Sequence, residues 1–247
     1  MSKENHHPVV ATDIVSGFNG TKVLDQVSMD AAEHAVTMIL GASGCGKTTL
    51  MKNLIRLLDP WSGSIRIFGQ EITGMDEPEF NGILKRIGVL FQNGALLNSI
   101  PIEENVAIPL EQHTQLPPEL IGRLVRVKLG LVGLEKACGR FPSELSGGMR
   151  KRAVLARAIA LDPPLLFCDE PSSGLDPVTA AGLDQLLLEM RDKLGMTLVI
   201  VSHTVSSIQR IADRIVFMDE GKVLFRGTLR EAKSAGIAKM DEFFKNG

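Results

Sequence analysis

The stretch GASGCGKTTL, residues 41–50, directly follows the apolar run Val36-Thr37-Met38-Ile39-Leu40. A strand predicted over Val36–Leu40 therefore meets a helix through a segment of glycines and small residues. Gly41-Ala42-Ser43-Gly44-Cys45-Gly46-Lys47-Thr48 fits the pattern G-x-x-x-x-G-K-[ST] in the strand-to-helix context that gives it physical meaning. The glycines let successive backbone N–H groups turn toward one point, and the helix starting near Gly46 adds the positive end of its dipole there. Such a nest binds polyphosphate, with Lys47 reaching the β- and γ-phosphates, the Thr48 hydroxyl on Mg2+ and Thr49 continuing the cradle. A glycine-rich turn that happens to precede a helix is the plainer alternative, and the correct elements on both sides weigh against it. Cys45 reads as a small filler residue or as a thiol of lowered pKa at a helix N-terminus.

A metal held beside phosphate needs an acid from a neighbouring strand, and the apolar run Leu165-Leu166-Phe167-Cys168 ends on Asp169-Glu170. Asp169 is expected to hold Mg2+ through water and Glu170 to take a proton from the attacking water. Alone, two acids before Pro171 would read as a solvated turn; the upstream glycine loop reverses that reading. Gln92 follows a strand predicted over Ile87–Phe91, and His203 follows one over Thr197–Val201. Both stand at the carboxyl ends of strands, where an open parallel sheet binds its ligands. Gln92 is expected to reach metal or water, and His203 to hydrogen-bond a γ-phosphate. Each singly is more often a surface or capping residue, and only the set with Lys47, Thr48, Asp169 and Glu170 reads as a site.

The remaining pattern fits an α/β fold with a parallel core, in which short β-branched runs alternate with helical ones. Further strands are predicted over Val9–Val15, Val23–Met29, Ile65–Phe68 and Ile215–Met218, with Lys222–Phe225 closing a surface hairpin over Asp219-Glu220-Gly221. Strand signals vanish between Phe91 and Leu165, which predicts an inserted helical subdomain. There Pro117-Pro118 opens a helix with an apolar stripe at Leu120, Leu124, Val127 and Leu131. Asp176, as N-cap before Pro177, opens another that turns Val178, Leu183, Leu186, Leu187, Met190 and Leu194 inward.

At 247 residues the chain can bury one sizeable core with a smaller subdomain attached. Lys+Arg 27 against Asp+Glu 29 leaves a net charge of -2, so charge gives no reason to expect a nucleic-acid partner. Cys45, Cys138 and Cys168 are too scattered for a disulfide framework or metal knuckle and fit a reducing compartment. No run of about 18 apolar residues occurs, and MSKENHHP lacks a signal-peptide core, so any membrane role is expected to come through a partner.

Leu145-Ser146-Gly147-Gly148-Met149 precedes Arg150-Lys151-Arg152 and a helical pattern through Ala160. Three cations in the first turn of a helix oppose its dipole, and a bound anion would relieve the conflict; a solvated basic face is the plainer alternative. Taken in order, GASGCGKT, Gln92, LSGGM, LLFCDE, Ser173-Gly174-Leu175-Asp176 and His203 resemble the Walker A, Q-loop, signature, Walker B, D-loop and switch of the nucleotide-binding subunits of ATP-binding cassette (ABC) transporters. The resemblance covers nearly the whole chain. It implies a P-loop NTPase (RecA-like) parallel-sheet core with an antiparallel β subdomain and an inserted α-helical subdomain. Applied to this chain, the core takes about 1–92 and 160–230, the helical subdomain about 93–159 and a short helical tail 231–247.

The resemblance further implies ATP hydrolysis with Mg2+ in a head-to-tail homodimer, where Ser146, Gly147 and Gly148 of one copy face the γ-phosphate held by the other and Asp176 lies at the same interface. Two features depart from the wider family: Met149 stands where Gln is usual, and the chain has no Tyr to stack on adenine. Phe18 is the aromatic substitute, or else a core residue of the first hairpin. FQNGALLNSIPIEENVAIPLEQHTQLP (91–117) with SELSGGMRKRAVLARAIA (143–160) is similar to the ATPases of bacterial MCE-type lipid transporters, including the Mla phospholipid system, and Met149 fits that group.

That likeness implies a dimeric integral membrane permease, an MCE-domain protein, a small accessory subunit and a place on the cytoplasmic face of the inner membrane, reached through the permease. Within Asn93–Leu110, the residues Leu96, Leu97, Ile100, Ile102, Val106 and Ile108 either line the groove for a permease helix or pack the subdomain core. A small-solute importer ATPase shares every one of these motifs except the segment after Gln92 and Met149. A soluble, non-transport member is disfavoured by the single cassette and the balanced charge.

Overall fold

A computed structural model describes residues 7–92 and 94–246; residues 1–6, Asn93 at the head of the expected groove and Gly247 at the end of the expected tail lie outside the described residues. In chain order the elements are β1 (Val9–Phe18), β2 (Thr21–Ala31), β3 (Val36–Gly41), α1 (Lys47–Leu54), β4 (Ser62–Ile67), β5 (Gln70–Glu71), α2 (Glu77–Leu84), β6 (Ile87–Leu90), α3 (Ile102–His113) and α4 (Pro118–Leu131). They continue with α5 (Gly147–Ala158), β7 (Leu165–Asp169), α6 (Pro177–Leu194), β8 (Thr197–Val201), α7 (Val205–Ile211), β9 (Arg214–Asp219), β10 (Lys222–Thr228), α8 (Leu229–Ser234) and α9 (Ala238–Asn246).

Two sheets carry the fold. The antiparallel sheet has the order β2-β1-β4-β5, and the larger one β10-β9-β3-β8-β7-β6, in which β9, β3, β8, β7 and β6 are parallel. Strands β1 and β2 run longer than their apolar patterns predict because Asn19-Gly20, both at positive φ (49° and 78°), form the two-residue turn that matches strand twist. The parallel strands are covered on both faces, which explains their uninterrupted apolar runs. Ile39, Leu165, Phe167, Val199 and Val201 join the core under the antiparallel sheet; Met38, Leu40, Leu166, Cys168, Leu198 and Ile200 join the core beneath the helices. Helices α3, α4 and α5 pack on one another, and α5 also rests on α6 and β6.

Several expectations need correction. On α4 most of the predicted stripe faces outward: Leu120, Val127 and Leu131 are exposed and only Leu124 packs half-buried against the core, while Ile121, Val125, Lys128 and Leu129 are buried. The helix carries two adjacent apolar rows, and periodicity alone cannot say which meets the core. On α6, Leu183, Leu187 and Met190 turn inward, but Leu194 is exposed and Val178 is 81% exposed. Strand β5 and helix α2 carry no strong period and were not expected. The β9–β10 hairpin is more than a surface turn, since Gly221 N–H donates to the Cys45 carbonyl (3.1 Å) and Gly221 O accepts from Asp25 N–H (2.9 Å). It thereby ties the glycine loop to β2. Helix α8 opens with a capping box formed by Thr228 and Glu231. Met240 of α9 is fully buried, and Phe243 meets Phe217 edge-on at 5.6 Å. No helix among the described residues is long and apolar enough to cross a membrane.

Candidate active site

Between β3 and α1 the glycine loop wraps around its own lysine. Lys47 Nζ donates to the carbonyls of Gly41 (2.9 Å) and Ala42 (2.8 Å) and lies 3.9 Å from Cys45 Sγ. Gly46 caps α1 at φ 105°, and a Cβ there would stand 2.7 Å from Leu24; at Gly41, φ 146°, a Cβ would meet the Met218 carbonyl at 2.2 Å. Neither position accepts an L side chain. The N-terminal N–H groups of α1 have no side-chain cap, which leaves them for an anion. Cys45 is buried, and burial pushes its thiol pKa up, so it acts as filler and not as an activated thiol.

A cavity of about 800 Å³ opens over this loop. Gly41, Ala42, Ser43, Gly44, Gly46, Lys47, Thr48 and Thr49 line it, and Gln92, Glu170 and His203 reach the same space from the ends of β6, β7 and β8. The parallel sheet thus gathers at its carboxyl edge residues that are far apart in sequence. Glu170 adopts φ 47°, a strained value for a non-glycine residue, held where its N–H donates to Val201 O (2.9 Å). His203 Nδ1 and Glu170 Oε1 are hydrogen-bonded at 2.7 Å.

Asp169 Oδ1 and Glu170 Oε2 are buried without a hydrogen-bond partner. Burial, reinforced by Glu170, raises the Asp169 pKa; Lys52, Lys47 and Lys151 oppose it. Two adjacent acids with unpartnered oxygens form a site short of positive charge. A divalent cation fits: Asp169 Oδ1 and the Thr48 hydroxyl are hard oxygen ligands, and Mg2+ takes its remaining ligands from phosphate and water. Among the described residues no group of three acidic, His or Cys side chains could hold a metal by itself, so such an ion would depend on the nucleotide's oxygens.

Other expected residues lie elsewhere. Ser146 caps α5, its hydroxyl accepting from Met149 N–H (3.3 Å), and neither it nor Gly147 and Gly148 line the phosphate cavity of their own chain. Asp176 caps α6, accepting from Val178 and Thr179 N–H groups at 3.1 Å, and its hydrogen bonding to Thr179 holds the carboxyl pKa low. Phe18 is 43% exposed at the end of β1 with Lys52 Nζ 5.7 Å from its ring centroid, and it is outside the cavity wall, which Val23 enters instead. Sequence reasoning missed Phe217, Asp219 and the α9 residues Lys239, Glu242 and Phe243, all of which line the cavity. Lys239 pairs with Asp219, an association across the fold that no local pattern announces.

Comparison with known proteins follows the same lines. A family model described as ABC transporter matches residues 24–173. The intermembrane phospholipid transport system ATP-binding protein MlaF of Haemophilus influenzae is 40% identical over 90% of this chain and 84% of its own. That of Escherichia coli K12 is 39% identical over 90% and 82%. The probable ribonucleotide transport ATP-binding protein mkl of Mycobacterium leprae is 42% identical over 82% of this chain but 58% of its own. Among solved structures, the dimeric post-hydrolysis state of the ATP-binding cassette MJ0796 bound to ADP and Pi superposes with a TM-score of 0.82 at 28% identity, covering 90% of this chain and 99% of that one. CbiO1 of Clostridium perfringens, part of the cbiONQ transporter complex, gives 0.85 at 28%, covering 93% and 91%.

Proposed function

We propose, from the premise that this chain belongs to the ABC transporter family and is an ATP-hydrolysing subunit, that it powers a bacterial phospholipid transporter of the MCE/Mla type. The observation that carries the cargo assignment is the 40% identity to a phospholipid-transport ATPase over 90% of this chain and 84% of the relative. The mkl protein names a different cargo at similar identity, but this chain spans little more than half its length.

In the reaction, Lys47 exchanges the carbonyls of Gly41 and Ala42 for phosphate oxygens, which a charged donor favours. Thr48, Asp169 and Gln92 would hold Mg2+, which when bound neutralises charge building on the transferred phosphoryl group. Glu170, whose Oε2 is free, accepts a proton from the attacking water. His203, whose Nδ1 meets Glu170 Oε1, hydrogen-bonds the γ-phosphate. Phe18, lying off the cavity wall, is left out of this set.

A head-to-tail homodimer completes the site, with Ser146, Gly147 and Gly148 of one copy facing the phosphates held by the other and Asp176 at the same interface. The exposure of Ser146, Gly147 and Asp176 on the single chain supports this placement, as does a dimeric cassette of the same fold. The division into a core over about 1–92 and 160–230, a helical subdomain over about 93–159 and a tail 231–247 belongs to the same reading, supported by the mutual packing of α3, α4 and α5. An integral membrane permease dimer would hold the subunits at the cytoplasmic face of the inner membrane, with an MCE-domain protein beyond it and a small accessory subunit.

Gentle detergent purification of the tagged chain from its native membranes, followed by mass spectrometry of proteins and lipids, tests the assignment. A permease with an MCE-domain protein and bound phospholipid is the expected outcome; a permease with a solute-binding protein would overturn the cargo and leave the ATPase standing.

A further inference from the structure

The turn that presents Gln92 is held from one side by a single helix. Gly94 N–H donates to Phe91 O (3.0 Å), and Gly94 and Ala95 both take positive φ, 76° and 47°. Ala95 bears a Cβ, so its conformation needs support from outside the turn. Helix α5 supplies it through two cations. Lys151 Nζ donates to the Gln92 carbonyl at 2.5 Å, while the Arg157 guanidinium donates to Ala95 O at 2.7 Å and Gly94 O at 3.0 Å.

Lys151 differs from Arg157 in what else it feels. Both are partly buried, and burial lowers the pKa of each, but on Lys151 the carboxylates of Asp169 and Glu170 act in the opposite sense. The ammonium thus holds the backbone of a residue that lines the phosphate cavity. Gln92 forms part of two cavities, the phosphate one and a smaller one of about 340 Å³ whose wall includes Lys151, Gly147 and Gly174. Lys151 thereby links α5, capped by Ser146, to the Gln92 backbone through a charge-assisted hydrogen bond.

We propose that Lys151 is a positioning residue for ATP hydrolysis: its ammonium clamps the Gln92 carbonyl to α5 and so sets where the Gln92 side chain stands in the phosphate cavity. The inference rests on the ATPase reading but not on the cargo. It also bears on the charge conflict at the start of α5, because one of the three crowded cations is hydrogen-bonded to a backbone carbonyl of its own chain.

The test uses the full chain and two readouts. In Lys151→Met, kcat should fall by about 10- to 100-fold, the cost of small misplacement, with ATP affinity unchanged. Amide hydrogen exchange over Gly94–Leu97 should quicken in the same variant without nucleotide. Lys151→Gln, which keeps a donor without the charge, should restore protection and part of the rate, and Lys151→Arg should restore most of both. Wild-type kcat in Lys151→Met would overturn the inference. So would a loss of kcat with unchanged exchange, which would confine Lys151 to neutralising Asp169 and Glu170. Failure of the unaltered chain to hydrolyse ATP would count against the ATPase reading instead, and the exchange comparison would still decide the clamp.

Discussion

The glycine loop and the Gln92 turn both face the phosphate cavity, yet they are built in opposite ways. Lys47 satisfies itself on carbonyls five and six residues away, and the loop is closed by glycine geometry. The Gln92 turn depends on Lys151 and Arg157, which lie 59, 62 and 63 residues from the carbonyls they hold. One region is a preformed cradle seated on buried β3. The other hangs on helix α5. The first is held by contacts within its own loop, the second by contacts that reach it from another element.

Breaking either side should show this contrast. The largest effect is expected from Glu170→Gln, which removes the base and lowers turnover by about 10²- to 10⁴-fold while bound ATP is retained. Phosphate release and nucleotide retention measure the two halves, and normal hydrolysis would exclude Glu170. Lys47→Ala strikes the cradle itself, and its loss of charged hydrogen bonds should weaken ATP binding by about 10- to 100-fold. An unchanged dissociation constant would mean that the loop does not bind phosphate through this side chain. Ser146→Ala strikes the helix that holds the Gln92 turn, and turnover should drop in the dimer while monomer ATP affinity holds. Its lost cap should also cost about 1 kcal/mol of stability by denaturant titration.

The smallest effect sharpens the electrostatic picture. Because the folded protein raises the Asp169 pKa, folding binds that proton more tightly than the unfolded chain does, and stability is lost as pH rises through the folded value. Asp169→Asn should therefore stabilise the metal-free protein at neutral pH, a gain that disappears below the ordinary carboxylate range. Thermal denaturation at two pH values measures it. A melting point that falls at neutral pH would show that Asp169 is already paired in the metal-free fold.

What was legible in the sequence follows the same division. The glycine loop, the Asp176 cap and the strand ends at Asp169 and Val201 depend on neighbours within a few residues. The outward stripe of α4, the exposure of Val178 and the place of Phe18 depend on which face a distant element covers. Helix α9 is the clearest case. Its wall of Lys239, Glu242 and Phe243 beside the glycine loop exists only because Met240 finds the core and Lys239 finds Asp219.

By itself, then, the sequence determined the core strands, the glycine loop between β3 and α1 and the acids and polar residues at the strand ends, since backbone conformation and strand ends are local properties. Only the tertiary structure decided that Glu170 meets His203, that Gly221 braces Cys45, that Lys151 holds Gln92 and that α9 walls the cavity. Each of those contacts joins segments separated by tens of residues or more, and their pairing is set by packing of the whole core rather than by any periodicity along the chain.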